Sequence, residues 1–382
     1  MNNNVIIFGI ENMRKRIEIE YLLNEKYNIL AYSDFEYDIK IFCNRLFVKA
    51  CDISNYEVDF IIIAYEDNQR IENIKKRLIE DGISEEKVIV PYFYTFSTRR
   101  QNYNLVELFE KTNLNYEGMV VGNSYALRDI ETAFLEKAYF NAGWHGLDLY
   151  YTDKLLRYFY SCFSGKMKRI SNIIMCLPYY WFNYDMSLSL YQVKTGQCWA
   201  LEKLGDWHNF TKLPDFKIYY DMYKKNKMLF VKNINFHSIC AWGGENVCLE
   251  RNDNTMLSLQ ELSHVWRVIH EDTLKENIII FEKLIKYLKG NGVKINIVVP
   301  PYHPDYIQLH YNSINIMKEK FYKILKPYLD RGDIDMIDFF EKKAVAEDVC
   351  WADWTHLNFH GAKVLTQILN ANMIGEKGNN ER

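Results

Sequence analysis

Ser124 sits where a nucleophile would be expected. It stands in GMVVGNSYALRDI, after the apolar run 118–122 and before a stretch of helical spacing. A hydroxyl at the end of a buried strand is exposed at the carboxyl edge of a sheet. The first N–H groups of the following helix, Ser124's own among them, can hold a developing oxyanion there. Serine alone is a weak nucleophile and needs a base. The distant segment CWADWTHLNFHGAKVLTQIL supplies one, with Asp353 three residues before His356. At that spacing the carboxylate can hold Nδ1–H and leave Nε2 to take the serine proton. Asn358 or His360 then caps the final helix. The chemistry implied is acyl transfer through an acyl-serine.

Other polar residues compete with these for a role. Tyr302 and His303, in IVVPPYHPDY, follow a strand and face the same sheet edge. They are substrate contacts or part of a rigid turn set by Pro300, Pro301 and Pro304. Cys350 lies near Asp353 but lacks the strand-end setting of Ser124. His264 and His270 are six apart and fall on different helix faces, so no metal pair is expected. His145, beside Gly146, lines the pocket or serves packing; His208 and His237 read as surface or lid residues.

The elements that must position these groups alternate strand and helix, which predicts an α/β fold in two domains. Residues 1–98 read as a small Rossmann-like domain: strands at 5–9, 28–32, 59–64 and 87–90, helices at 11–23 and 71–80. Residues 99–117 read as a linker and entry helix. Residues 118–375 form the second domain, with a mostly parallel sheet and strands at 118–122, 138–141, 170–177, 295–299 and 334–339. An aromatic-rich insertion at about 187–256, with Trp199, Trp207 and Trp242, is either a lid or substrate segment or simply a small core of its own. A long helical pattern over 258–289 stops at Gly290-Asn291-Gly292, and the tail after about Gly375 reads as disordered. In the first domain, IIFGIENMRKR occupies the place of a dinucleotide fingerprint. It keeps Gly9 but has Glu11 where a second glycine belongs, so a Rossmann-like scaffold without a phosphate site is expected, and no cofactor.

The order of these blocks carries a resemblance. Gly-Asn-Ser after the first strand and Asp-x-x-His-Leu-Asn before a terminal helix resemble the SGNH (GDSL-like) hydrolase superfamily, over residues 118–372. More narrowly they resemble bacterial members linked to acylation of cell-surface polysaccharide. The resemblance implies a three-layer α/β/α domain with Ser124 as nucleophile and Asp353 and His356 as its partners. It also implies an oxyanion hole built from the N–H of Ser124 and of a glycine in FNAGWHGLDLYYTDKLL, where Gly146 matches best and Gly143 is the rival. A third donor is usually an asparagine. Here LPYYWFNYDMS has no Gly-x-Asn, which leaves Asn183, or in its stead Tyr179 or Tyr180, with Tyr179 also a candidate substrate contact. The first domain loosely resembles modules at the start of bacterial sugar-modifying enzymes.

The implied activity is that of an esterase or O-acyltransferase. Its substrate would be a small-molecule or glycan acyl ester, and acyl-CoA is one donor the chemistry admits. The alternative is a non-catalytic scaffold that binds glycan or partner proteins. Composition excludes other classes. Net charge is −3 and the basic runs 75–77 and 166–169 are short, so no nucleic-acid partner is expected. No run approaches about 18 apolar residues, so no membrane span is expected. The start, MNNNVIIFGI, does not read as a signal peptide, and the eight cysteines form no CxxC pair, so a cytoplasmic protein with reduced thiols is expected.

Overall fold

The structure, a computed structural model, describes residues 3–10, 27–65, 68–90, 106, 109–110, 115–189, 202–227, 271–340, 345 and 347–379. It divides into two compact units. One comprises Met1–Tyr103, Ser187–Ala200 and Trp207–Ile234; the other comprises Asn104–Met186, Leu201–Asp206 and Asn235–Arg382. The longer helices among the described residues are α1 (Asn68–Glu80), α2 (Ser124–Asp129), α3 (Leu149–Cys162), α4 (Phe216–Lys227), α5 (Glu271–Gly290), α6 (Pro304–Asp330) and α7 (Phe359–Asn379).

In the first unit, β1 (Asn4–Phe8), β2 (Asn28–Asp34), β3 (Ile41–Phe42), β4 (Arg45–Lys49), β5 (Phe60–Ile63) and β6 (Val88–Ile89) form one sheet in the order β3-β4-β2-β1-β5-β6. Every pairing is parallel except the β3–β4 hairpin. Without β3 the order is 3-2-1-4-5, that of a doubly wound sheet. Alternate residues serve opposite faces. Val5, Ile7, Ile29 and Ile62 pack on one side; Ile6, Phe8, Ile61 and Ile63 pack on the other with Ile71, Ile74 and Leu78 of α1. The hairpin was not expected from the sequence. Its two-residue turn, Cys43-Asn44, takes φ +49 and +60, the left-handed pair that a tight hairpin demands. The helix expected at 11–23, including Glu11, lies outside the described residues.

At the carboxyl edge of this sheet the Tyr65 ring covers Gly9, where a Cβ would meet it at 2.9 Å. The Tyr65 hydroxyl donates to Asp34 at 2.5 Å, and Arg70 donates to that same hydroxyl at 3.1 Å. Asp34 ends β2, the place of the ribose-binding acid in a dinucleotide fold. Here Tyr65 holds it and fills the approach to Gly9, so these residues do not suit a pyrophosphate.

The second unit carries β7 (Gly118–Gly122), β8 (Tyr139–Asn141), β9 (Asn172–Cys176), β10 (Lys294–Val299) and β11 (Asp335–Asp338), all parallel, in the order β11-β10-β9-β7-β8. Counted from β7 this is 2-1-3-4-5, whose direction of winding reverses between β7 and β9. Helices lie in two groups. α5 packs against α3 and, through Phe281 edge-on to Tyr328 at 5.2 Å, against α6, and α2 packs with α7. A parallel sheet covered on both faces explains strands as apolar as GMVVG and NIIMC.

Two expectations change. The aromatic-rich insertion, assigned on sequence to the second domain, is divided: 187–200 and 207–234 go with the first unit. Its described rings stack on one another, Phe210 on Phe216 at 6.2 Å and Phe216 on Tyr220 at 5.7 Å, and α4 meets β6. Trp199, Trp242, His237, His264 and His270 lie outside the described residues. The last helix, expected from about His360 to Asn372, runs from Phe359 to Asn379, into the tail after about Gly375 that reads as disordered in the sequence. No helix among the described residues is long and apolar enough to cross a membrane.

Candidate active site

Ser124 opens α2 at the point where the second sheet reverses its winding, the usual place for a ligand crevice. Three small residues set it there. Gly122 has φ +140, and a Cβ on it would lie 2.6 Å from the Cys176 carbonyl and 3.1 Å from Ala126 Cβ. A Cβ on Gly143 would lie 2.6 Å from the Leu127 nitrogen, so α2 sits tightly against the strand ends. Asn123 caps the helix: its Oδ1 accepts from Tyr125 N–H at 3.1 Å. The N–H of Ser124, at the first helical position, has no intrahelical acceptor. The far end of α2 is held by Asn141, which is fully buried. Its amide donates to the carbonyls of Ala126 (2.8 Å) and Ile130 (3.2 Å), and its Oδ1 accepts from Gly143 N–H at 2.9 Å.

The segment 350–358 brings the base. Trp351 and Leu357 form an antiparallel bridge, and the amides of Ala352 and Asp353 donate to the His356 carbonyl. Within this loop Asp353 Oδ1 accepts from His356 N–H (2.8 Å), Thr355 N–H (2.8 Å) and the Thr355 hydroxyl (3.0 Å). His356 Nδ1 lies 2.9 Å from Asp353 Oδ2, and Nε2 lies 2.8 Å from Ser124 Oγ. Burial works against the Asp353 charge. The His356 imidazole, its hydrogen bond, the Thr355 amide and Arg128 outweigh it and hold the carboxyl well below the usual range. An ionised carboxylate only accepts, so Nδ1 carries the proton and Nε2 is the acceptor facing the serine hydroxyl. The His356 ring is 17% exposed and stacks on Tyr125 at 5.1 Å.

Ser124, His356 and Asp353 are thus brought together across 232 residues of chain separating serine and histidine. Gly146 stands at the third position of a turn closed by Leu147 N–H on the Trp144 carbonyl (3.0 Å), with φ +68, which favours glycine. Its carbonyl accepts from the Tyr184 hydroxyl at 2.9 Å. The N–H of its rival, Gly143, is already given to Asn141.

Four residues expected to meet substrate or oxyanion are engaged by neighbouring side chains. Asn183 is buried and donates to Met317 Sδ at 3.3 Å, so its amide is turned to α6. Tyr179 is 1% exposed and donates to Asp338 at 2.6 Å, where Tyr322 also donates. His303 is a cap: its Nδ1 accepts from Asp305 N–H at 3.2 Å at the start of α6, and its ring meets Trp354 edge-on at 4.8 Å. Tyr302 is 2% exposed, meets Tyr125 edge-on at 5.5 Å and stacks on Tyr306 at 5.5 Å. A strand-end position puts a residue at the correct edge but does not fix the direction of its side chain. Here the apolar rings turn inward.

Tyr180 differs from its neighbour. Its hydroxyl receives the Asn123 amide at 3.4 Å, and it interacts with the hydroxyls of Tyr125 and Tyr302. Burial pushes its pKa up to about 12, so it remains a phenol able to donate. Sequence reasoning missed Asn141, Tyr125, Thr355 and Asp129, whose Oδ1 accepts from Leu357 N–H at 2.9 Å. Asn141 stands in FNAG, the block that pointed to the oxyanion glycine. The other three gave no signal beyond lying next to Ser124 or His356, or in the same helix.

Comparison with known proteins adds three findings. Residues 1–89 match a family model described as C2185-like, N-terminal. No curated protein matches the chain. Among solved structures the chain is similar to a candidate acylhydrolase from Bacteroides fragilis NCTC 9343, at 11% identity and a TM-score of 0.36, over 71% of this chain and 94% of the other.

Proposed function

We propose that the second unit catalyses serine-dependent acyl transfer. The supporting observation is the hydrogen-bonded series Ser124 Oγ, His356 and Asp353, at 2.8 and 2.9 Å. His356 Nε2 takes the hydroxyl proton as Oγ bonds to the carbonyl carbon of an ester or thioester. The carbonyl electron pair becomes an oxyanion, held by the N–H of Ser124 and of Gly146, with Tyr180 as third donor in place of an asparagine. The oxyanion collapses and expels the alcohol or thiol, which takes the proton back from Nε2. The acyl-serine is then cleared by water or by a second hydroxyl, with His356 again as base. Asp353 holds the imidazole in the required tautomer throughout.

In the finer form of this proposal the acyl group belongs to a carbohydrate, as in a cell-surface polysaccharide or its precursor, and the protein is an esterase or an O-acyltransferase. The Gly-Asn-Ser and Asp-x-x-His-Leu-Asn blocks support it through the family they resemble. Hydrolysis of p-nitrophenyl acetate tests the chemistry, and release of acetate from O-acetylated glycans, with and without acetyl-CoA, tests the finer form. Ser124→Ala is expected to lower ester hydrolysis at least about 10³-fold. Equal rates for the two proteins would leave a scaffold that only binds.

A further inference from the structure

We infer that Asp129 is a positioning residue for the Ser124–His356 pair, and that it clamps the histidine loop to the helix that carries the serine; this rests on the proposed acyl-transfer function. Asp129 is 1% exposed, at the end of α2, five residues after Ser124. Its Oδ1 accepts from the N–H of Leu357, the residue after His356, at 2.9 Å across 228 residues of chain. Leu357 is itself 1% exposed, so losing this acceptor would leave its buried N–H without a partner.

The rest of α2 acts on the same loop. Ser124 meets Nε2, the Tyr125 ring stacks on the imidazole, and Arg128 places its charge near Asp353. Asp129 is the member of this helix that grips the loop backbone. Burial, and then the Asp353 charge, push its carboxyl well above the usual range, against the pull of the Leu357 amide and Arg128. Its second oxygen has no hydrogen-bond partner among the described residues. Asp129 offers one acceptor to Leu357, and burial beside Asp353 favours its uncharged form. A general base works over about 2.6–3.2 Å, so a loop freed by a fraction of an ångström loses the serine contact.

The test measures phosphonylation of the full-length protein by a fluorophosphonate at a series of probe concentrations. Asp129→Ala should lower the maximal rate at least about tenfold while the half-saturating concentration stays put, and Asp129→Asn, which keeps the acceptor, should restore it to within about threefold. A merely structural role would lower thermal stability and leave the rate of the folded protein alone. Should Asp129→Ala fail to fold, Asp129→Leu takes its place. Wild-type labelling by the alanine variant, or an asparagine variant as slow as alanine, overturns the inference. If wild type labels no better than Ser124→Ala, the parent proposal fails instead. The inference is then decided by ¹⁵N-histidine NMR, where the His356 Nδ1–H signal should move in Asp129→Ala and stay in Asp129→Asn. An unmoved signal in the alanine variant overturns it.

Discussion

Asp353 and Asp129 both bond to the loop that bears His356, yet their protonation responds to folding in opposite directions. Folding depresses the Asp353 carboxyl, because the His356 imidazole, the Thr355 amide and Arg128 outweigh its burial. Its contribution to stability is therefore present above the unfolded value of about 3.9 and lost as pH falls through the folded value. Folding raises the Asp129 carboxyl, chiefly by burial. Its acid form is the one the native state accepts, so stability declines as pH rises from about 3.9 towards the folded value. Replacing Asp129 by Asn removes that decline. Urea unfolding across pH 5 to 8 should show the stability of Asp129→Asn gaining on wild type as pH rises, no faster than about 1.4 kcal/mol per pH unit, the limit for one proton. Parallel curves would mean that Asp129 is ionised in both states.

At the scale of elements, α2 is too short to hold its own geometry and depends on what its ends meet. Asn123 caps one end, and Asn141 satisfies two carbonyls at the other while closing the turn into Gly143. Removing the Asn141 amide leaves two buried carbonyls and one N–H without partners. Asn141→Leu is expected to cost about 2–4 kcal/mol in denaturant unfolding and to slow ester hydrolysis as α2 shifts. A cost under about 0.5 kcal/mol would show that α2 is held by packing against Gly122 and Gly143 alone. The serine and the Asp-x-x-His were legible in the sequence because each is a local pattern, a strand end or a three-residue spacing. The polar contacts of Asn141 and Asp129 were not, since both join residues that only the fold brings close. Tyr302, His303 and Tyr179 were placed at the correct sheet edge for the same local reason. Their side-chain directions depend on neighbours such as Asp338, Asp305 and Trp354, which no spacing encodes.

At the scale of the molecule, two largely parallel sheets were legible from the apolar runs VIIF, FIII, GMVVG, NIIMC and KINIVV, which tolerate no wet face. The division of the chain was less so. The segment 207–234 belongs to the first unit although the second flanks it in sequence, because α4 meets β6 and its rings build a small core of their own. The β3–β4 hairpin was missed because Cys43-Asn44 lacks the glycine that usually marks such a turn. Across these distances the central claim concerns one hydroxyl and one imidazole. Incubating the intact protein with a fluorophosphonate and mapping the adduct by peptide mass spectrometry tests it most directly. A single adduct on Ser124, absent in His356→Ala, is predicted; labelling spread over other serines, or unchanged without the histidine, would contradict it.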